Sequence, residues 1–162
     1  MRVFIGLGSN LADPIAQVKT ALTDLGQLDN TQLVSCSSLY RSPPMGPQDQ
    51  PDYINAVAEL TTSLTAHQLL AEVQRIEQQH GRIRKRHWGE RTLDLDLLLF
   101  GDKTIHDNIL QIPHPGITER AFVLYPLAEI APDLAIPSLA VVNELLADCP
   151  LDGLQRIENW EK

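Results

Sequence analysis

Cysteine is nearly absent: 162 residues hold two, Cys36 and Cys149. That is too few for a disulfide framework or a cysteine metal cluster. Long apolar runs are missing too, and nothing approaches the ~20 residues of a membrane span. The opening segment MRVFIGLGSN has too short an apolar run for a secretory signal and reads as a first strand. Cations are outnumbered, 13 Lys and Arg against 21 Asp and Glu, for a net charge of −8. An acidic total argues against general nucleic-acid binding. There is no G-x-x-x-x-G-K-[ST] phosphate loop, no protein-kinase set and no Ser-His-Asp or Cys-His arrangement. His67, His80, His87 and His106 show no metal-ligand spacing. These absences leave a soluble, cytoplasmic protein, expected to be one domain over 1–162 and a monomer, with no nucleic-acid or membrane partner.

The elements alternate. Val3–Gly8 reads as a buried strand with glycines at its end. Asp13 before Pro14 marks a helix start, Ile15, Val18, Leu22 and Leu25 recur at helical spacing, and Gly26 ends the run. Thr31–Tyr40 and Tyr53–Thr61 read as strands. Between them, residues 41–52 (RSPPMGPQDQPD) hold four prolines and a glycine and form a long loop. Thr65-x-x-Gln68 is a capping box. It opens a helix with Leu69, Val73 and Ile76 on one stripe and Leu70, Gln74 and Glu77 on the next, closing near Gly81. Thr92–Phe100 is a strand. The order β-α-β, β-α-β predicts an α+β, ferredoxin-like βαββαβ antiparallel sheet with helices packed on it. C-terminal additions follow: a hairpin within 101–112, a proline turn at Ile112–Gly116, a helical region over Thr118–Ile130 and a short helix over Leu139–Ala147. This tail is expected to pack on the same core.

The sharpest chemical signal is Asp94-Leu95-Asp96. On a strand the two carboxylates share a face, ~7 Å apart, while Leu93, Leu95 and Leu97 point to the core. Such a pair suits Mg²⁺, whose other ligands are water and phosphate oxygens; the plainer alternative is the polar face of an edge strand. Arg82, Arg84, Lys85, Arg86 and Arg91 put five of the thirteen cations into ten residues just before it. Arginine's planar fork suits phosphate oxygens, so this patch reads as an anion site, with a solvated loop as the alternative. Trp88 in that loop either anchors it or covers a planar ligand. Tyr53 and Asn55 share a strand face and can stack on and hydrogen-bond a heterocycle, or simply pack. His114 stands in a proline turn with Arg120 and Phe122 nearby. Gly6-Leu7-Gly8-Ser9-Asn10 reads more readily as a tight turn than as a phosphate cradle.

Taken together, GLGSNL (6–11), YRSPPMGPQDQPDYINAV (40–57), the Arg82–Trp88 loop, RTLDLDLLLFG (91–101), IPHP (112–115) and ERAFVLYPLAEIAP (119–132) resemble the 6-hydroxymethyl-7,8-dihydropterin pyrophosphokinase family. The likeness covers essentially the whole chain and is weakest after about residue 133. It implies an ATP-dependent transfer of pyrophosphate to the pterin hydroxymethyl group, giving AMP, in folate biosynthesis. It implies two Mg²⁺ on Asp94 and Asp96, with Arg82 and Arg91 as catalytic arginines. Pterin would lie between Tyr53 and Phe122, with Asn55, Ser42 and the Met45 backbone reading its edges, Pro43 and Pro44 beside it and Trp88 closing over it. ATP would meet Leu70, Gln74, Glu77, Arg82, Arg84, Trp88, Arg91, Leu97, His114 and Arg120. The basic loop is one residue shorter than in relatives, and Ile109 and Gln111 replace more polar or smaller residues near the expected ribose and adenine. Loops 41–52 and 82–91 flank the expected site and are expected to close when both ligands bind. Two other classes stay open: a nucleotide-binding regulatory module and an RNA-binding module. Both carry the same topology, and the paired carboxylates and acidic charge weigh against them.

Overall fold

The computed structural model describes residues 1–44, 50–80 and 92–158. Its elements run β1 (Arg2–Ser9), α1 (Pro14–Gly26), β2 (Thr31–Cys36), β3 (Leu39–Ser42), β4 (Tyr53–Thr62), α2 (Ala66–Gln79) and β5 (Asp94–Phe100). A small hairpin follows, β6 (Ile105–His106) with β7 (Gln111–Ile112), then α3 (Ala121–Ile130), α4 (Val142–Ala147) and β8 (Gln155–Glu158).

Both long helices start where local chemistry dictates. Asp13 accepts from Ala16 N, with Pro14 opening α1. Thr65 Oγ1 accepts from Gln68 N at 3.2 Å while Gln68 Oε1 accepts from Thr65 N at 2.9 Å, so both halves of the capping box form. Val18, Leu22 and Leu25 of α1 and Leu69, Val73 and Ile76 of α2 are buried, as their spacing predicts.

The main sheet runs β5-β1-β4-β3-β8, with β2 also on β4, and every pairing is antiparallel. β2 and β3 follow one another along the same side of β4, so the expected single strand over Thr31–Tyr40 is interrupted at Ser37–Ser38. There a side chain enters the ladder: Ser37 Oγ accepts from Val57 N at 2.9 Å. Glu129 of α3 accepts from both Ser38 N and Ser38 Oγ. Counting β2 and β3 as one strand gives the ferredoxin-like βαββαβ order, and β8 adds an outer strand that the sequence pattern does not signal.

The sheet separates two cores. Ile5, Leu7, Ile54, Leu93, Leu95 and Leu97 meet α1 and α2 on one face. Phe4, Tyr40, Val57, Leu98 and Leu99 meet α3, α4 and the tail on the other. The tail therefore packs on a second core, not on the first: Val142, Cys149 and Leu154 close the face that the two long helices leave open. Alternation along β5 fails after Leu97, because a bulge opposite Phe4 and Ile5 turns Leu98 and Leu99 to the same side.

Candidate active site

The register of the central strands builds the site. Gly8 pairs with Asp94 on one side and Asn55 on the other, and Asn55 pairs with Tyr40. Gly6 pairs with Asp96 and Val57. Residues directly opposite in an antiparallel ladder share a face. Asp94, Asp96, Gly8 and Asn55 therefore all lie on the α3 side of the sheet. Asp94 and Asn55 are two strand spacings apart, ~10 Å, with only Gly8 between them.

Both aspartates are half-buried, while Leu93, Leu95 and Leu97 are sealed in the helix-side core. The expected split of the DLD segment, carboxylates to one face and leucines to the core, is what the strand shows. The two glycines stand inside β1, which continues through Ser9, and not in a turn at its end. A Cβ on Gly8 would fall 3.4 Å from Asn55 Oδ1 and 3.8 Å from Tyr53 Cδ1. The missing side chain thus leaves a bare floor bordered by an amide and an aromatic ring. Sequence reasoning passed over this. The available signal was two glycines at i, i+2 in a strand otherwise made of Val, Phe, Ile and Leu, a pattern that marks close approach of another group.

Asn55 and Ser42 are both buried, and Asn55 Nδ2 donates to Ser42 Oγ at 2.8 Å. Ser42 and Tyr53 are direct partners across β3 and β4. Pro44 is buried and Pro43 exposed, the latter lying against Gly153. At the other end, His114 N donates to Leu98 O at 3.0 Å, which sets the proline turn along the outer edge of β5. Its Nδ1 accepts from Gly116 N at 3.1 Å. A neutral His114 then carries its proton on Nε2. Burial pushes its imidazole below the ordinary range; Asp96 pulls the other way and Arg120 adds to the lowering. The Arg120 guanidinium lies 5.8 Å from the Phe122 ring centre and over Gly116, where a Cβ would meet Nε at 2.5 Å.

The nucleotide residues expected on α2 sit differently. Leu70 is half-buried, Gln74 exposed and Glu77 buried, with Glu77 Oε2 accepting from Leu95 N at 2.8 Å. Leu97 is 3% exposed and packs in the helix-side core. Met45, Arg82, Arg84, Trp88 and Arg91, with residues 45–49 of the first expected loop and the whole of 82–91, lie outside the described residues. The roots of those loops are described. Ser9 Oγ donates to Thr92 O at 2.5 Å, and Asn10 Nδ2 donates to Gln50 Oε1 and Pro51 O, each at 3.0 Å. Ser9 and Asn10 thus tie the start of β1's exit to the segments that lead into β4 and β5, a second role the sequence did not reveal.

Among the described residues, no three or more His, Cys, Asp or Glu side chains gather to hold a metal ion. Two carboxylates are nonetheless the protein contribution that Mg²⁺ asks for when phosphate oxygens and water complete its shell, so Asp94 and Asp96 fit that ion and not a soft-ligand metal. Hard-oxygen donors at one end of a glycine floor, and an amide beside an aromatic ring at the other, on a ferredoxin-like sheet, make a surface on which a phosphorylated molecule and a heterocycle could meet.

The comparisons with known proteins agree. The family model for 7,8-dihydro-6-hydroxymethylpterin-pyrophosphokinase (HPPK) matches residues 4–132. The 2-amino-4-hydroxy-6-hydroxymethyldihydropteridine pyrophosphokinase of Haemophilus influenzae is 53% identical over 143 residues, covering 88% of this chain and 89% of that one. That of Pseudomonas aeruginosa is 49% identical over 156 residues, 96% of each chain. Among solved structures, wild-type Plasmodium falciparum HPPK-DHPS with SDX-DHP matches with a TM-score of 0.70 and 15% identity. That match covers 90% of this chain but 43% of the longer one, and it speaks for the fold alone. The chain belongs to the 7,8-dihydro-6-hydroxymethylpterin-pyrophosphokinase family.

Proposed function

We propose that the chain, as one domain over 1–162, transfers the β,γ-pyrophosphoryl group of ATP to the hydroxymethyl oxygen of 6-hydroxymethyl-7,8-dihydropterin, releasing AMP and the pterin pyrophosphate. Family membership carries the reaction. The observation that supports its location is the row Asp94–Gly8–Asn55, a carboxylate suited to a cation and an amide suited to a heterocycle on one face of the sheet with only Gly8 between them in the ladder.

At the pterin end, the Asn55–Ser42 bond uses the amide nitrogen, so Oδ1 is turned to the floor as an acceptor for ring N–H groups. Tyr53 and Phe122 would supply aromatic surfaces on either side of the pterin, with Pro43, Pro44, Met45 and Trp88 assigned beside it. At the nucleotide end, Asp94 and Asp96 would hold two Mg²⁺. These would balance the triphosphate charge and orient the attacking and leaving oxygens. Arg82 and Arg91 stabilise charge that shifts onto the transferred group, while Arg84, Arg120, Gln74, Leu70 and His114 hold the nucleotide. A neutral His114 offers Nε2–H as a donor to a phosphate oxygen without adding to the charge balance. The substrate hydroxyl oxygen bonds to the β-phosphorus as the bond from that phosphorus to the α,β-bridging oxygen breaks; the bridging oxygen leaves with AMP and the hydroxyl proton passes to solvent. Positioning and charge, not a covalent intermediate, supply the catalysis.

No helix among the described residues is long and apolar enough to cross a membrane. The protein is read as a cytoplasmic monomer that needs no nucleic acid or membrane partner. The deciding experiment is incubation with ATP, Mg²⁺ and 6-hydroxymethyl-7,8-dihydropterin. Equal amounts of AMP and pterin pyrophosphate are expected. Nucleotide binding with no AMP formed would overturn the reading in favour of a regulatory module, and salt-sensitive RNA binding would point to the RNA-binding topology.

A further inference from the structure

Glu77 occupies a costly place for a carboxylate. It is 5% exposed, and it lies in the last turn of α2, at the negative end of the helix. Its Oε2 nevertheless accepts from Leu95 N at 2.8 Å in a buried hydrogen bond. β5 is the outer strand on this side of the sheet, so an amide on its free edge needs a partner from outside the ladder. Leu95 is the residue between Asp94 and Asp96. Its side chain is 4% exposed in the helix-side core, so the residue is held at the side chain by packing and at the amide by a carboxyl acceptor. The Asp94–Leu95 peptide plane sets the direction in which Asp94 leaves the strand, and the Leu95 side chain fixes the side to which both aspartates point.

We propose that Glu77 is a positioning residue for the Asp94–Asp96 pair, acting through the Leu95 amide, and not a ligand of the nucleotide. The inference rests on the reading of those aspartates as the cation site. The neighbouring ties support it. His114 N holds Leu98 O, three residues further along the same strand, and Ser9 Oγ holds Thr92 O, two residues before Asp94. The segment carrying both carboxylates is thus fixed before, within and after the pair, as expected where ligand oxygens must keep a set separation.

Three variants separate reach from charge. Glu77→Gln keeps an acceptor at the same reach, Glu77→Asp keeps the charge one methylene short, and Glu77→Leu removes both. In the metal-free, ligand-free protein, amide exchange at Leu95 is expected to quicken in Glu77→Asp and Glu77→Leu and to stay near wild type in Glu77→Gln. Mn²⁺ binding followed by electron paramagnetic resonance should weaken in the same two variants. At saturating Mg²⁺, kcat should fall about tenfold or more in both, with KM for ATP within about twofold and most of the rate regained in Glu77→Gln. A raised KM for ATP with kcat retained would overturn the proposal and make Glu77 a nucleotide ligand. Unchanged Leu95 exchange in Glu77→Asp would overturn it as well, and that variant answers even if Glu77→Leu does not fold. Wild-type protein that forms no AMP would reject the pyrophosphokinase reading instead, while the exchange and Mn²⁺ measurements would still decide the role of Glu77.

Discussion

Asn55 and Ser42 are joined across β3 and β4 by a 2.8 Å hydrogen bond from the amide nitrogen to the serine oxygen. Because both are buried, the bond fixes which end of the amide faces outward, and it is the carbonyl oxygen that borders the floor over Gly8. A ligand that stacks on Tyr53 therefore meets an acceptor and must bring N–H donors. Asn55→Ala is expected to raise KM for the pterin ~10- to 100-fold, the loss of one buried hydrogen bond plus an orphaned partner. KM for ATP should stay within about twofold of wild type. Steady-state kinetics with each substrate varied in turn would check this; a loss in ATP affinity alone would mean that the amide reads the nucleotide.

Gly8→Ala tests the floor itself. No positive φ is found at Gly8, and the new methyl's nearest neighbours would be Asn55 Oδ1 at 3.4 Å, Tyr53 Cδ1 at 3.8 Å and the Ile54 carbonyl oxygen at 4.0 Å, all ordinary contacts. The fold should tolerate it, with a melting temperature close to wild type. The same methyl would stand where the substrate has to pass between Asn55 and Asp94. One methylene's worth of misfit, on the order of 10-fold or more in kcat/KM for the pterin, is expected. Unchanged kcat/KM in a folded Gly8→Ala protein would show that the substrate does not cross this row.

Asp96→Ala should cost several kcal/mol of transition-state stabilisation, on the order of 10³-fold in rate. Chelation of divalent ions should abolish AMP formation in the wild type and leave no further loss to see in the variant. Arg91→Ala, removing a cation assigned to the transferred group, should lower kcat far more than it weakens ATP binding. Turnover close to wild type in Asp96→Ala would remove the cation site from this strand.

The parts of the molecule that sequence revealed are those governed by local rules. Periodicity placed α1 and α2, Thr65 and Gln68 marked a helix start, and i, i+2 spacing put Asp94 with Asp96 and Tyr53 with Asn55 on common faces. What stayed hidden depends on partners far along the chain. Nothing local to Thr31–Tyr40 announces that Glu129, some ninety positions away, will bind Ser38 and break the strand. The bulge opposite Phe4 and Ile5 likewise decides that Leu98 and Leu99 serve the second core, although LLLF reads the same in either register. The glycine floor shows the same limit. Gly8 has no side chain with which to advertise a role, and its meaning appears only when β4 and β5 flank it.

The Glu129 network also fixes how the protein responds to alkali. Burial first, and the nearby Glu129 carboxylate second, push the Cys36 thiol up to about 12. Tyr40, whose hydroxyl donates to Glu129 Oε1 at 2.6 Å, is raised by burial and by the same carboxylate. In the unfolded chain a cysteine loses its proton near ~8.5. Above that pH the unfolded state binds fewer protons than the folded one, so stability falls as pH rises and keeps falling until the folded thiol ionises. Below it, both states hold the proton and Cys36 contributes no pH dependence. Denaturant unfolding at pH 7 and pH 10 should therefore show a smaller alkaline loss in Cys36→Ala than in wild type, and a smaller one again when Tyr40→Phe is added. In the native protein at pH 8, Cys36 should also resist thiol reagents that label it at once after unfolding. Equal alkaline losses with and without Cys36 would mean that its thiol ionises as easily in the folded chain as in water.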